Sequence, residues 1–527
     1  MSRMKAPKSG VRVRMYRQGQ GDCFLLAFPR EGGTVDNPVY LLIDCGYMGG
    51  SQFSDVAFQD VIDHIAETTG GFIDYVAITH EHADHVNGFN RRGGDGNRLF
   101  DQITFGQLWL AWTEDGSDDD ANNLRERFND TLVALALAED RIAASDLDPA
   151  FGADVAHLLE VELGPKADRQ AFAATLKAQN GAPFGAVDGI TNKTAIKYLR
   201  DTAQSGPEFL TPKQDAFAMG GTTGAQVYVL GPPRDENLLT SLDPQGDEEF
   251  HIGSDFALSG EAAAFNMAIT GGGDQGNASP FAKRYATPED EVFAQPVLPP
   301  DQFTPAEAEE LVRDYNATVY CEALSGVPQE DWRRIDGDWL RAAGAMALRL
   351  NHEVNNTSLV LAFALPNTGK VLLFTGDAQR GNWISWSDLE WEGDDGPITA
   401  KDLLGRCVFY KCGHHGSHNA TLDGQLDSDH ANLSWFAQGP FAQDFVAMIP
   451  VHSAWAKRKN GWNHPLPSIQ EALMKKARGR VMRNDRARVQ RPRPGQGHGK
   501  LTDAEWDAFK DLSIEAKLYK EYIVLDE

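Results

Sequence analysis

Residues 71–90 read G-F-I-D-Y-V-A-I-T-H-E-H-A-D-H-V-N-G-F-N, and the rest of the chain is interpreted around them. The apolar, β-branched stretch 72–79 predicts a buried strand that runs into a loop. Four potential metal ligands follow within six residues: His80, His82, Asp84 and His85. Imidazole and carboxylate together suit Zn²⁺, Mn²⁺ or Fe. Three of the 14 His of the chain fall in this loop, so a metal site explains it better than a chance His-rich surface loop.

The acidic composition limits the partners that the chain can have. There are 49 Lys and Arg against 76 Asp and Glu, which gives a formal charge of −27. Such a surface repels polyanions at long range, and general nucleic-acid binding needs Lys and Arg to displace phosphate counterions. A local basic groove that admits a single strand is still compatible with this charge. The length of 527 residues allows a large core with insertions.

Signals for export, membrane insertion and disulfides are weak in this sequence. The basic N-terminus has no apolar stretch behind it, and no run approaches the roughly 20 apolar residues that span a bilayer. The Cys residues are odd in number and scattered, which is typical of reduced thiols. They are Cys23, Cys45, Cys321, Cys407 and Cys412. We therefore expect a cytoplasmic protein with no membrane partner.

The first hundred residues predict further strands and a helix. Residues 11–28 have the pattern of a strand, a Gly turn and a second strand, and residues 39–45 predict a third strand closed by Gly46. An amphipathic helix is predicted over 54–68. On spacing alone, Asp44 near the end of the third strand could cap a turn.

The second half of the core is predicted to resume at residue 355. Residues 355–378 read N-N-T-S-L-V-L-A-F-A-L-P-N-T-G-K-V-L-L-F-T-G-D-A, which predicts a hairpin of two apolar strands. Gly376 lets the backbone turn tightly, so that the carboxylate of Asp377 can point off the strand end. A further strand over 407–411 leads into G-H-H-G-S-H-N at 413–419.

Several of these stretches resemble one known family. The H-x-H-x-D-H pattern of 80–85 resembles the signature of the metallo-β-lactamase superfamily. The K-C-G-H-H-G-S run at 411–417 and the N-N-T-S-L-V-L run at 355–361 are similar to the metallo-β-lactamase domain of competence proteins of the ComEC type. The G-Q-G-D opening at 19–22, the L-L-I-D-C-G run at 41–46 and the strand at 225–232 also resemble that group. In that group the Asp that matches Asp22 begins a hairpin, and the Asp that matches Asp44 supports the metal site from below. The resemblance implies an α/β fold, specifically the αββα sandwich of the superfamily.

The resemblance also implies a set of metal ligands for two divalent ions, Zn or Mn. It assigns His80 and His82 to one ion, places Asp84, His85 and His414 on the other, and puts Asp377 between the two. His415 is then an outer partner or a proton donor, although the reverse assignment of the His pair stays open. Asn355 and Asn356 stand where many members have a His that completes the ion site of His80 and His82. His352, just upstream, is an alternative ligand.

The remaining expected site residues follow from the same motifs. We expect Asp84, His415 and Lys411 to be catalytic, with Lys411 either contacting a phosphate or facing solvent from its strand. Residues near the His-rich turn are expected to bind substrate; they are Ser417, His418, Asn419 and Asn356. His464, in a His-Pro pair, is expected to shape the pocket rim or to begin a helix. Such ions lower the pKa of bound water to about 7, which supplies a hydroxide nucleophile.

Two insertions are predicted to interrupt the core. The predicted segments are 1–105 (first half of the metallo-β-lactamase domain), 106–220 (helical insertion), 221–233 (core strand), 234–350 (acidic, Gly/Pro-rich and helical insertion), 351–490 (second half) and 491–527 (C-terminal helix and strand). The insertions resemble nothing that can be named from sequence. We interpret them as lids or as surfaces that bind a protein partner.

The expected function is metal-dependent hydrolysis, with a nucleotide or nucleic-acid phosphodiester as substrate. The protein would then be a phosphodiesterase or a nuclease. Hydrolysis of a lactone or thioester uses the same metal chemistry and is the first alternative, and hydrolysis of a β-lactam is disfavoured because no export signal is found. The second alternative is a catalytically weak scaffold subunit whose insertions bind a protein partner.

Overall fold

The structure is a computed structural model, and it describes most of the predicted core. The described residues are 3–128, 159–162, 191–249, 353–393, 396–458, 462–492 and 501–527, with isolated positions at 131, 156, 304, 306 and 311. The chain divides into two units, and the first comprises 1–130, 157–254 and 349–527. Everything below concerns that first unit. His352, the alternative ligand, lies outside the described residues, as do 163–190 of the first predicted insertion and 250–303 of the second.

The described residues form many strands and several shorter helices. The strands are β1 (Gly10–Tyr16), β2 (Cys23–Phe28), β3 (Val39–Cys45), β4 (Phe72–Ala77), β5 (Thr104–Ala111), β6 (Ser205–Leu210), β7 (Phe217–Ala218), β8 (Gln226–Gly231), β9 (Val360–Ala364), β10 (Val371–Phe374), β11 (Glu390–Trp391), β12 (Ile398–Thr399), β13 (Cys407–Lys411), β14 (Val446–Ile449), β15 (Val481–Arg483), β16 (Ser513–Glu515) and β17 (Tyr519–Leu525). The helices are α1 (Phe58–Thr69), α2 (Ala83–Val86), α3 (Thr191–Thr202), α4 (Glu236–Leu239), α5 (Arg380–Trp386), α6 (Ala400–Gly405), α7 (Ser453–Ala456), α8 (Pro467–Lys476) and α9 (Asp503–Asp511). The chain therefore has a mixed α/β fold.

Two large mixed sheets organise these strands. The first has the order β16-β17-β1-β2-β3-β4-β5-β6, and the second has the order β15-β14-β13-β10-β9-β8-β7. In the first sheet β3, β4, β5 and β6 run parallel, while the strands from β16 to β3 pair antiparallel. In the second sheet β10, β13, β14 and β15 run parallel, and the rest pair antiparallel. Each sheet thus has a parallel half whose strands end at one edge.

The two sheets share a core made by alternate side chains of their strands. Val11 and Val13 of β1 lie in this core with Phe363 of β9, as expected for period-two burial. Phe24 of β2 meets Phe374 of β10 edge-on, with ring centroids 5.7 Å apart. Each large apolar side chain that is fully buried in this way contributes about 1.5–3 kcal/mol to stability.

Helices cover the other face of each sheet. Ile62 and Ile65 of α1 pack with Val76 of the first sheet, and α1 ends at Gly70, whose φ of +70° forms a left-handed cap. On the second sheet, Trp383 of α5 packs with Leu373. Within the described ranges, every helix is too short or too polar to cross a bilayer.

Part of the predicted insertion 106–220 belongs to the first sheet. β5 begins at Thr104 and pairs in parallel with β4, so the expected boundary at residue 105 falls inside a strand. β6 extends the sheet beyond β5 as its edge strand. Its sequence S-G-P-E-F-L contains Gly and Pro, which weaken a strand signal and are tolerated at an edge. The segment 491–527 also joins this sheet, because β17 pairs with β1.

Candidate metal centre

Loops that follow the parallel strands bring four ligand groups together. Asp84 and His85 lie in α2 after β4, Asp377 follows β10, and His415 follows β13. One ligand atom from each of the four lies within 4.8 Å of all the others, and all four side chains are buried. The carboxyl ends of parallel strands are where open α/β sheets place ligand sites. We call these four residues the carboxylate–imidazole centre.

Short distances between nitrogen and oxygen atoms define this centre. His415 Nε2 lies 2.9 Å from Asp84 Oδ2 and 3.8 Å from Asp377 Oδ2. His85 Nε2 lies 3.2 Å from Asp377 Oδ2. Both imidazoles therefore present Nε2 to Asp377, and His415 also contacts Asp84.

Each imidazole of the centre is oriented by a contact at its other nitrogen. His85 Nδ1 lies 2.7 Å from Asp44 Oδ2, and Asp44 also accepts a hydrogen bond of 2.8 Å from the Thr79 backbone N–H. His415 Nδ1 donates to the Pro450 carbonyl oxygen over 2.6 Å. Such outer contacts fix the tautomer and the ring orientation of metal-binding His. Asp44 therefore supports the site, which is one of the two interpretations that its sequence position allowed.

Close backbone packing places α2 over the first sheet. The Asp22 N–H donates to the Asp84 carbonyl oxygen over 3.0 Å. A Cβ on Gly21 would lie 2.5 Å from that same oxygen, and one on Gly46 would lie 2.5 Å from the Asp84 carbonyl carbon. Only Gly fits at these two positions, so the G-Q-G-D turn and Gly46 determine where Asp84 stands.

Charges within the centre shift the pKa values of its members. Burial raises the pKa of Asp84, but His85 and His415 outweigh it and bring that pKa to about 2. Burial lowers the pKa of His85, yet Asp377 and the other carboxylates raise it well above its usual range. The pKa of His415 is raised in the same way, with Asp377 opposing burial. In the absence of a metal ion, protons on the imidazoles balance the carboxylates.

Unsatisfied polar atoms show that a cation fits here. Asp84 Oδ1, Asp22 Oδ1 and His85 Nε2 are buried and make no hydrogen bond within the described part of the chain. Buried polar atoms without partners are rare and require an explanation such as an ion. Two carboxylates and two imidazoles form a donor set that suits Zn²⁺ or Mn²⁺. Buried His and Asp groups that can hold a metal ion are thus present in this chain.

Lys411 lies beneath the centre instead of facing a substrate or solvent. Its Nζ pairs with Asp22, donates to the Gly376 carbonyl oxygen over 2.6 Å and lies 3.4 Å from Asp377 Oδ1. Its side chain is only 1% exposed. Burial lowers the pKa of Lys411, but Asp22 and Asp377 raise it above its usual value, so the ammonium stays charged. We expected Lys411 to contact a phosphate or to face solvent, whereas its ammonium is buried against Asp22.

His80 and His82 form a second, smaller arrangement that we call the imidazole pair. His80 Nε2 and His82 Nδ1 lie 3.1 Å apart. His82 Nε2 contacts Glu162 Oε1 at 2.8 Å, and His80 Nδ1 lies 3.2 Å from Ser358 Oγ. The rings of His80 and His85 have centroids 4.1 Å apart, so the pair adjoins the centre. Each imidazole of the pair is oriented so that one nitrogen faces the other ring.

The turn 413–416 places His415, and not His414, among the carboxylates. Both residues have positive φ, at 41° for His414 and 53° for His415. His414 is half-buried, with Nδ1 3.4 Å from Asn419 Oδ1 and Nε2 3.5 Å from Asn355 Nδ2. The His that the structure brings to Asp84 is therefore His415. The sequence analysis preferred His414 as the ligand and left this reverse assignment open.

The four expected substrate-binding residues have different surroundings. The Asn356 amide is buried and donates to the Ser241 carbonyl oxygen over 2.9 Å, so it ties two loops together. Ser417 donates to Asn419 Oδ1 over 3.0 Å, which helps to position His414. His418 is exposed and pairs with Asp243 at 3.0 Å. Asn419 and Ser417 both contact His414, Asn419 through its side chain and Ser417 through its backbone N–H, which donates to the His414 carbonyl oxygen over 2.8 Å.

His464 borders the same region from a third loop. Its ring stacks on Trp462, with centroids 5.1 Å apart, and lies 5.5 Å from the ring of His414. Its Nδ1 contacts Gln20 Nε2 at 3.2 Å. Burial lowers the pKa of His464 well below its usual value. Its place is at the rim of the site, as one of the two sequence interpretations had it.

Sequence reasoning assigned no site role to Glu162 or Asp22. Glu162 contacts His82 across 80 positions of the chain and lies in a segment without a recognisable motif. Asp22 was identified only as the start of a hairpin. The available signal for a site role was the carboxylate of Asp22 next to two Gly residues, because buried ionisable groups cluster at functional sites.

Comparisons with known proteins add no identification. No protein-family model matches the chain. Neither a curated protein nor a solved structure matches it. The geometry of the site and the motifs of the sequence are therefore the basis for the function given below.

Proposed function

We propose that this chain is a divalent-metal-dependent hydrolase of the metallo-β-lactamase type. Two features of the fold support the proposal: the sheets share a core, and helices lie on their other faces. A third is that the ligand groups come from strand ends of both sheets. This is the arrangement that the motif resemblance implies for an αββα sandwich.

One observation carries the proposal more than any other. Asp84 and His85 meet Asp377 and His415 within 4.8 Å, although some 330 positions of chain separate His85 from His415. Gathering buried charged groups in this way is costly unless they are paired or bind an ion. A structural ion-pair network would satisfy its members, whereas the buried Asp84 Oδ1 makes no hydrogen bond to any described residue.

The proposal includes two ions, as the motif resemblance implies. Asp84, His85, Asp377 and His415 would hold one ion, and His80 with His82 would contribute to a second. When bound, such ions supply Lewis acidity, because they lower the pKa of water and stabilise negative charge that develops on an oxygen. Asp44 and the Pro450 carbonyl keep the imidazoles of His85 and His415 oriented for this task.

We assign proton transfer to His414. Its imidazole is half-buried beside the centre, while His415 is fully buried and occupied by carboxylates. Asn419 and Asn355 lie 3.4 Å and 3.5 Å from its two ring nitrogens and hold the ring in place. An imidazole so placed can accept a proton at one nitrogen or donate one to a leaving oxygen.

For the substrate we favour a phosphodiester. The G-H-H-G-S and N-N-T-S-L-V-L runs resemble domains that act on DNA, which is the support for this choice. The net charge of −27 favours a small nucleotide, or one strand admitted locally, over a duplex.

A metal analysis and an activity panel test the proposal. We expect purified protein to contain close to two equivalents of Zn or Mn, and the variant Asp84→Ala with His85→Ala to lose them. With either metal, we expect cleavage of bis-p-nitrophenyl phosphate or single-stranded DNA. Asp377→Asn should slow that cleavage by about 100-fold or more, while Asp60→Asn, on the exposed side of α1, should not. An Asp377→Asn protein as active as wild type would refute the site assignment.

A further inference from the structure

A cavity of about 340 Å³ lies beside α2. The residues that matter here are Tyr47, Met48, Ala83, Asn87, Arg91 and Glu160. Ala83 and Asn87 are four positions apart and share one face of the chain around α2, and Ala83 directly precedes Asp84. The cavity therefore lies against the same short helix that carries Asp84 and His85 of the carboxylate–imidazole centre. Its volume lies in the range of about 300–1,000 Å³ that is typical of small-molecule sites.

Arg91 provides an unpaired guanidinium at this cavity. Its guanidinium carbon lies 4.8 Å from the centroid of the Tyr47 ring. Its Nε is buried and makes no hydrogen bond. Among the residues that the structure describes, no carboxylate lies within salt-bridge distance of Arg91. A planar guanidinium of this kind matches the geometry of phosphate and carboxylate groups.

The wall that supports Arg91 is held in place by its neighbours. Asn87 Nδ2 donates to the Tyr47 carbonyl oxygen over 2.7 Å, and its Oδ1 accepts from the Tyr47 N–H over 3.2 Å. The Tyr47 ring packs on Phe58 of α1, with centroids 4.8 Å apart. Arg91 thus rests on a preorganised aromatic surface, and preorganisation reduces the cost of binding. Glu160 lies against Gly49 at another part of the wall and offers an acceptor.

We propose that this cavity binds the part of the substrate that lies next to the cleaved bond. An anionic group of that part, a phosphate or a carboxylate, binds Arg91. This inference rests on the proposed function and deepens it, because it defines the substrate as one with a second anionic group away from the scissile bond. A nucleotide with a further phosphate has this chemistry.

Binding in metal-free buffer tests the assignment without turnover. The probes are thymidine 3′,5′-bisphosphate and, for a carboxylate, glutarate, each titrated calorimetrically into the full-length protein. Arg91→Gln should weaken binding of at least one probe by about tenfold or more, because hydrogen bonds to charged groups are worth about 1.5–3 kcal/mol. Arg92→Gln is the matched control, since Arg92 is exposed and donates to the Gly96 carbonyl oxygen at 2.7 Å. It should leave both affinities within about twofold of wild type.

The outcomes separate this inference from the proposed function. If Arg91→Gln binds both probes as wild type does, the cavity assignment is wrong. If that variant does not fold, Arg91→Lys keeps the charge and most of the stem, and it should still weaken binding because the planar fork is lost. The probe that depends on Arg91 identifies phosphate or carboxylate as the ligand. Failure of wild-type protein to hydrolyse any substrate would refute the hydrolase but would not change these affinities.

Discussion

The carboxylate–imidazole centre and the imidazole pair share one loop, yet they are built from different parts of the chain. In the centre, Asp84 and His85 meet Asp377 and His415, which follow strands of the second sheet. In the pair, two residues of a single loop face each other, with Glu162 behind one of them. The centre thus takes its ligand groups from loops of both sheets, whereas the two imidazoles of the pair come from one loop.

The difference predicts unequal affinity for two ions. The centre supplies two carboxylates and two imidazoles, so it provides both charge and four ligand atoms. The pair supplies two imidazoles, and Asn355, at the sequence position where a third ligand was expected, contacts His414 instead. Fewer ligands and less negative charge weaken a metal site. We therefore expect the first ion to bind tightly at the centre and the second to bind weakly at the pair.

The largest expected effect comes from exchanging neighbouring His residues for Ala. His415→Ala removes a ligand of the centre and should weaken binding of the first ion by more than about 100-fold, since loss of outer partners alone costs about 10–100-fold. His414→Ala should leave that affinity nearly unchanged, because His414 lies outside the centre. Metal titration with a fluorescent indicator measures both constants. Equal losses in the two variants would contradict the assignment of the centre.

The next effect is the pH dependence of the first ion. The pKa values of His85 and His415 are raised, so both rings are protonated in the metal-free protein up to a pH above 6.5. An ion must displace these protons. Its apparent affinity should therefore rise by about tenfold per pH unit for each proton displaced. The rise should level off above the raised pKa values of the two imidazoles. The pKa of His80 is lowered well below 6.5 by burial and by the neighbouring His residues, so this ring of the pair releases no proton at neutral pH. Titration between pH 6 and 9, with roughly half-unit steps, would test the difference in slope.

The smallest effect concerns Glu162, the outer partner of the pair. Glu162→Gln keeps the shape of the side chain but removes the charge that raises the pKa of His82 against burial. Binding of the second ion should weaken by about tenfold, which is the lower end for loss of an outer partner. The first ion should be unaffected, because Glu162 contacts no residue of the centre among its described contacts. A matched loss for both ions would show that the two arrangements are not separate.

Local pattern was enough to find the loop 80–85 and the strand before it. Apolar residues over 72–79 followed by closely spaced ligands are visible within twenty positions. Asp377 and the His pair at 414–415 were found because each follows an apolar strand. The structure agrees that these stretches converge, although sequence could not decide which His of the pair faces inward. That choice depends on two consecutive residues with positive φ, a conformation that no His pattern predicts.

Contacts between remote segments could not be predicted in the same way. The burial of Lys411 depends on Asp22, which lies almost 390 positions earlier. A strand residue with a charged side chain is ordinarily interpreted as solvent-facing. β6 was missed because an edge strand with Gly and Pro has no periodic apolar signal. In each case the deciding interaction involves an element that the local sequence does not contain.

Lys411 has a consequence for the charge balance of the site. Its ammonium pairs with Asp22 and lies 3.4 Å from Asp377 Oδ1, so the chain itself compensates part of the carboxylate charge. Classical zinc fingers depend on their ion for folding and unfold when a chelator removes it. In this protein the two sheets bury a shared apolar core that includes none of the four ligand groups. We therefore expect a chelator to leave the fold intact, so that one sample can be loaded with different ions in turn.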